Sequence, residues 1–105
     1  MSAASGFSIT FTETARAEMK GLKAFEARLV AEAIVTGLTH QPFVATRNRK
    51  QLVGVRASFD FRPPLWELRV KDLRIFYDGN EADRTITIRS VRRKEPKQTT
   101  QEVLS

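Results

Sequence analysis

The chain opens on an alternation. Phe7 to Phe11 (FSITF) sets apolar and polar side chains in turn, which predicts a short strand. The period then lengthens. Ala15, Met19 and Leu22 fall at i, i+4 and i+7, Thr10 or Thr12 is placed to cap, and Glu13 and Glu18 favour the positive end of a helix. Gly21 and Lys23 mark a break. A second helix is predicted from about Ala24 to Leu38, with Phe25, Leu29 or Val30, Ile34 and Leu38 on one side and Gly37 and Pro42 bracketing its end. So few residues part the two helices that an antiparallel hairpin is expected. Thr39 to Lys50 has no period and reads as a loop, and Gln51 to Phe61 holds an edge strand before the Arg62-Pro63-Pro64 break. Three clearer strands follow, at about Leu65–Val70, Leu73–Asp78 and Thr85–Val91. Lys71-Asp72 is a two-residue connection and Asp78-Gly79-Asn80-Glu81 has good turn chemistry. The polar tail from Lys94 to Ser105 ends in a short helical turn.

Strand alternation assigns the faces. Trp66, Leu68 and Val70 share one face, as do Leu73, Ile75 and Tyr77, and then Ile86 and Ile88. Together they make an apolar surface for the helices to cover. Glu67, Arg69, Arg74, Phe76, Arg89 and, if the last strand continues, Arg93 fall on the opposite face. Such a solvated side is ordinary for an antiparallel sheet, with Glu67 and Asp78 available to pair the arginines. It is equally an anion-binding concavity, because arginine presents a planar fork to phosphate and Phe76 offers a platform for an unpaired base. Arg47, Arg49 and Lys50 in the preceding loop would extend that patch as RNA-binding residues. The fold class is therefore α+β: an N-terminal helical hairpin on one face of a small, mainly antiparallel four-stranded sheet. One domain fills residues 1–105, with a core over about 7–94 and a polar tail over 95–105.

Composition sharpens this only in places. The net charge is +6, and residues 1–40 hold 4 basic and 4 acidic residues, so the whole excess lies in the C-terminal part. That asymmetry suits an anionic partner, nucleic acid being the commonest. With no cysteine and one histidine, thiolate nucleophiles, disulfides and the usual metal sites are excluded, and no cofactor is expected. The five glycines never fall in a phosphate-loop spacing. No run is long and apolar enough for a membrane span, and MSAASGFS lacks the features of a signal peptide, so a cytoplasmic protein without membrane contact is expected.

WELRVKDLRIFYD, followed by RTITIRSVRRK, resembles the RelE/ParE superfamily of toxins from bacterial type II toxin–antitoxin systems. FTETARAEMKGL, the helix ending in LTHQP and the TRNRKQL stretch extend the likeness over roughly residues 8–100. The resemblance implies a cognate antitoxin, with Phe59, Phe61 and Phe76 as candidate contacts, and a complex that binds operator DNA. In the RelE branch it implies metal-independent mRNA cleavage on the ribosome, by attack of a 2′-hydroxyl on the adjacent phosphate. In the ParE branch it implies action on DNA gyrase by protein contact, and a third alternative is a weakly toxic member acting mainly in its antitoxin complex. For the nuclease, Arg74 falls where the family carries a phosphate-contacting arginine, Arg69 on a basic position, and Arg93 or Lys94 on the basic residue beyond the last strand. Glu67 stands where a lysine is expected and is a candidate proton acceptor or a partner of Arg69. The sole tyrosine, Tyr77, takes a core-facing register, the tail has no tyrosine, and His40 reads as incidental.

Overall fold

A computed structural model describes residues 6–105; residues 1–5, the start of the MSAASGFS stretch, lie outside the described residues. The elements run β1 (Ser8–Phe11), α1 (Glu13–Lys20), α2 (Ala24–Leu38), β2 (Arg49–Leu52), β3 (Leu65–Val70), β4 (Leu73–Asn80), β5 (Thr85–Arg93) and α3 (Thr100–Leu104). The sheet has five strands in the order β1-β5-β4-β3-β2. The expected four-stranded sheet is thus corrected in number and in part in direction: β1 runs parallel to β5, whereas the other pairs are antiparallel. A strand that begins the chain reaches the far edge beside β5 only because α1 and α2 carry the chain back across the sheet, which no local pattern announces.

Both helices form where the 3.6-residue period places them. Thr12 caps α1 by accepting from the Ala15 amide at 3.1 Å. Glu26 reaches back to the Lys23 amide at the start of α2. Val30, Ile34 and Leu38, spaced by four, are buried over the sheet. The helices lie over different strands, α1 against β5 and β1 and α2 against β3, so the expected hairpin is splayed across the sheet. Their shared core includes Trp66, Leu68, Leu73, Ile75, Tyr77, Ile86 and Ile88, the face expected from alternation.

Two boundaries moved and one strand is bulged. β2 starts at Arg49, inside the expected loop, because Arg49 and Lys50 find Leu68 and Glu67 across the strand gap. β4 runs on through Asn80, because Gly79 pairs with Ile86 and Asn80 with Thr85, which pushes the turn to residues 81–84. Gly79 is required there: a Cβ would lie 2.3 Å from the Thr85 carbonyl oxygen and 2.8 Å from the Phe43 ring. A bulge opposite Phe76/Tyr77 leaves Arg89 as an extra residue in β5, since Tyr77 pairs with Ile88 and Phe76 with Ser90. Every β5 side chain beyond that point changes face.

The other face of the sheet is not open along its whole length. Phe76, Leu65 and Leu52 are covered by Val103 and Leu104 of α3 and by Val55, Ala57, Phe59 and Phe61 of the β2–β3 connection. This second, smaller core closes one half of the face on which the arginines stand.

Candidate functional site

Arginines occupy a cross-strand row on that face. Arg69 of β3 pairs with Arg74 of β4, and Arg74 pairs with Arg92 of β5. Neighbouring strands lie about 4.8 Å apart, and like charges placed directly opposite repel. Each arginine is settled differently. Arg69 is exposed, and among the described residues no hydrogen bond or ion pair engages its side chain. Arg74 is 8% exposed, lies 3.4 Å from Glu67, and donates through Nη1 to the Lys71 and Leu73 carbonyl oxygens at 2.8 and 2.9 Å. Burial lowers the Arg74 pKa and the Glu67 carboxylate opposes that shift; an arginine starting so high stays charged at neutral pH. Arg92 is committed to structure. It donates to Ser90 Oγ, Ser58 Oγ and the Val103 and Leu104 carbonyl oxygens, lies 3.4 Å from Glu18, and stacks 5.0 Å over the Phe59 ring.

Beside this row lies a cleft of about 300 Å³ between the Thr46–Lys50 segment and the sheet, with Thr100 of α3 at its rim. Arg47, Arg49, Lys50, Arg69, Arg74 and Lys94 line it, against a single carboxylate, Glu67. Glu67 is 4% exposed and lies between two cations, 3.6 Å from Lys50 and 3.4 Å from Arg74. Its ion-pair partners are therefore Lys50 and Arg74 and not Arg69. Buried carboxylates persist where they are paired in this way. The pairing holds Arg74 on the floor and draws the exposed Lys50 toward it, while Arg47, Arg69 and Lys94 stand with side chains that no described residue engages.

The structure thus brings Arg47, Lys50, Glu67, Arg69, Arg74 and Lys94 together around one cleft, and removes other expected residues from it. Arg93 lies on the helix side, because the bulge at Arg89 flipped it; it pairs with Asp72 at 2.7 Å and Glu26 at 2.8 Å. Hydrogen bonding to Arg93 lowers the pKa of both carboxylates, and their bonds raise its own. Lys94, rather than Arg93, is the basic residue beyond β5 that reaches the cleft. Arg89 is consumed by Asp78, 2% exposed, in a two-point pair at 2.8 and 3.2 Å, and that carboxylate also accepts from the Arg62 amide. Arg49 touches the cleft wall, but its guanidinium turns toward the helix layer, donating to the Gly37 carbonyl and, at 2.6 Å, to the Val44 carbonyl. Its partner across the gap is Leu68, a core-face residue. Phe76 is fully buried, so it offers no surface for base stacking or for an antitoxin. Phe59 and Phe61 are half-buried and packed edge-on to one another, 6.2 Å apart, with Phe59 6.1 Å from Phe76.

Tyr77 keeps its core-facing register. Its hydroxyl donates to the Pro42 carbonyl and burial drives its pKa far above the usual tyrosine value. It is no proton donor to the cleft. Lys71 and Arg92 escaped the sequence reading, the first as a turn residue and the second because only the bulge aims it at this face. No helix among the described residues is long and apolar enough to cross a membrane, and none of their His, Asp or Glu side chains gather in groups of three that could hold a metal ion.

A mixed five-stranded sheet with two helices on one face and a basic cleft on the other is a RelE-like architecture. The toxin–antitoxin complex RelBE2 from Mycobacterium tuberculosis contains a chain that superposes with a TM-score of 0.66 at 21% identity, covering 85% of this chain and 99% of that one. A chain of the archaeal RelE–RelB complex from Pyrococcus horikoshii superposes with a TM-score of 0.62 at 17% identity, covering 88% of this chain and 98% of that one. The likeness is one of fold. No protein-family model matches the sequence, and no curated protein matches it.

Proposed function

We propose that this chain is the toxin of a type II toxin–antitoxin system and that it cleaves mRNA on the ribosome. The observation that carries the proposal is the cleft, where a buried, anchored Arg74 stands beside Arg69, Lys94, Lys50 and Arg47. Fixed cations aimed at one point stabilise the charge that gathers on phosphorus during transfer, and they need no metal to do so. The fold shared with chains of RelBE2 and RelE–RelB complexes supports the same reading.

In this mechanism Arg74 and Arg69 hold the non-bridging oxygens of the scissile phosphodiester. The 2′-oxygen attacks phosphorus, the bond to the 5′-oxygen breaks, and a 2′,3′-cyclic phosphate and a 5′-hydroxyl result. Glu67, the single carboxylate lining the cleft, takes the 2′-hydroxyl proton, and Lys94 supplies one to the leaving oxygen. The partner is an antitoxin encoded alongside, and the complex of the two binds operator DNA.

A second reading has one observation in its favour. Glu67 is already held by two cations and the sole tyrosine is buried, so the cleft is stronger in phosphate binding than in proton transfer. Under that reading the same fold acts by protein contact, with DNA gyrase the target. RNA 5′ ends sequenced after brief induction without antitoxin separate the two. New ends within translated codons, lost in an Arg74→Ala strain, are the expected result. Growth arrest with intact mRNA would overturn the nuclease reading in favour of a protein target.

A further inference from the structure

The cleft has a neighbour. Arg69, Arg74 and Lys94 form a wall whose far side faces a second concavity, of about 570 Å³, closed by the Lys71-Asp72 turn and by Glu95-Pro96. We propose that this second concavity is a phosphate subsite, which takes a phosphodiester flanking the scissile one on the same RNA strand, with Lys71 as its specific ligand. The proposal rests on the nuclease reading above and extends it from one phosphate to two.

Three observations carry it. Lys71 holds a φ of +56°, a left-handed conformation that a lysine adopts only at a cost and that turns usually reserve for glycine or asparagine. That conformation does two things at once: the Lys71 carbonyl accepts Arg74 Nη1 at 2.8 Å, and the side chain lines the second concavity. The turn is therefore tied to the first cleft through its backbone and free to act in the second through its ammonium group. Secondly, the side chains of Lys71, Arg69 and Lys94 engage no described residue, so their charge is available to a ligand. Thirdly, the carboxylate next to Lys71 already has a cation of its own. Asp72, which lines the concavity, accepts from Arg93 Nη1 at 2.7 Å, and Arg93 is not among the lining residues. Glu95 also lines the concavity, so the subsite is the part next to Lys71 and the shared wall.

A strand crossing the shared wall presents successive phosphates to its two sides, so removing one charge from either partner should be felt once, not twice. The experiment is single-turnover cleavage in a reconstituted ribosome complex, using mRNAs in which each phosphate flanking the scissile one is replaced singly by a neutral methylphosphonate. One position should slow the unaltered protein about tenfold. Lys71→Ala should slow cleavage of unmodified mRNA by a similar factor, and should be insensitive to the methylphosphonate at that same position. Lys71→Gly, which keeps the carbonyl for Arg74 and relaxes the backbone, should behave as Lys71→Ala, while Lys71→Arg should restore the unaltered pattern. Cleavage by Lys71→Ala at the unaltered rate, or slowing that adds independently to every methylphosphonate, would overturn the subsite and leave the nuclease reading standing. No cleavage of any mRNA by the unaltered protein would remove that reading, and the subsite with it.

Discussion

The two halves of the face opposite the helices use the same strands and many of the same residue types, yet one half is a basic cleft and the other a closed packing unit. Arg69 and Arg74 belong to the first, Arg92 and Arg89 to the second. Arg69, Arg74 and Arg89 fall on this face by simple alternation, and nothing in it tells them apart; Arg92 joins them through the bulge. The difference lies in what stands across from them. Arg92 and Arg89 meet Glu18, Asp78 and the carbonyls of α3, and every guanidinium nitrogen of Arg92 donates. Arg74 meets a carboxylate shared with Lys50, and Arg69 meets none. An arginine on a sheet is structural or available according to the donors its surroundings consume. The lesson reaches beyond this chain, because a count of arginines on a face overstates the site unless the acids and carbonyls within reach are counted too.

The contrast can be broken from either side. The largest expected effect is in the closed half: Phe76→Ala removes a fully buried ring and should cost about 3–5 kcal/mol, read as a loss of denaturant midpoint. An unchanged midpoint would show that α3 and the Phe59–Phe61 segment do not pack as described. In the open half, Arg74→Ala should reduce the proposed mRNA cleavage by about 10²–10³-fold, the range for loss of a fixed donor to a developing charge. It should also lower stability, because buried Glu67 then keeps only Lys50. Arg92→Ala should lower stability and spare cleavage. It should cost roughly 2–3 kcal/mol and expose the 58–61 and 100–104 segments to hydrogen exchange, by removing bonds to α3 and Ser58. Arg69→Ala should leave stability within about 0.5 kcal/mol while still weakening cleavage, since its side chain engages nothing in the fold. A large stability loss there would place Arg69 with Arg92 instead.

The smallest effect lies on the helix face. Glu26 and Asp72 have lowered pKa values through their bonds to Arg93. Their contribution is present above the ordinary carboxylate range, about 4, and is lost as pH falls through the lower folded values. Asp72 and Arg93 are exposed and Glu26 only half-buried, so the effect should be slight. Arg93→Ala should lower stability slightly near neutrality, with the difference from the unaltered protein closing as pH falls below about 4. A variant equally acid-sensitive would show that these pairs do not persist in solution.

Much of this was legible in the residues alone, because it rests on local periodicity. The helices at Ala15 to Met19 and Ala24 to Leu38, the core face of Trp66, Leu68, Ile75, Tyr77, Ile86 and Ile88, and the placing of Arg69, Arg74 and Glu67 on the other side all follow from side-chain directions repeating every 3.6 or 2 residues. What only the tertiary structure decided depends on groups distant in sequence. The bulge at Arg89, set by how β5 registers on β4, sent Arg93 to Glu26 and aimed Arg92 at α3. Val103 and Leu104, in a tail that reads as polar, buried Phe76. Glu67 was drawn to Lys50 and Arg74 by a strand pairing that starts inside an apparent loop. Periodicity fixes where a side chain points along its own element. Which partner it meets there is settled by register and coverage, whose energies arise only when separate parts of the chain come together.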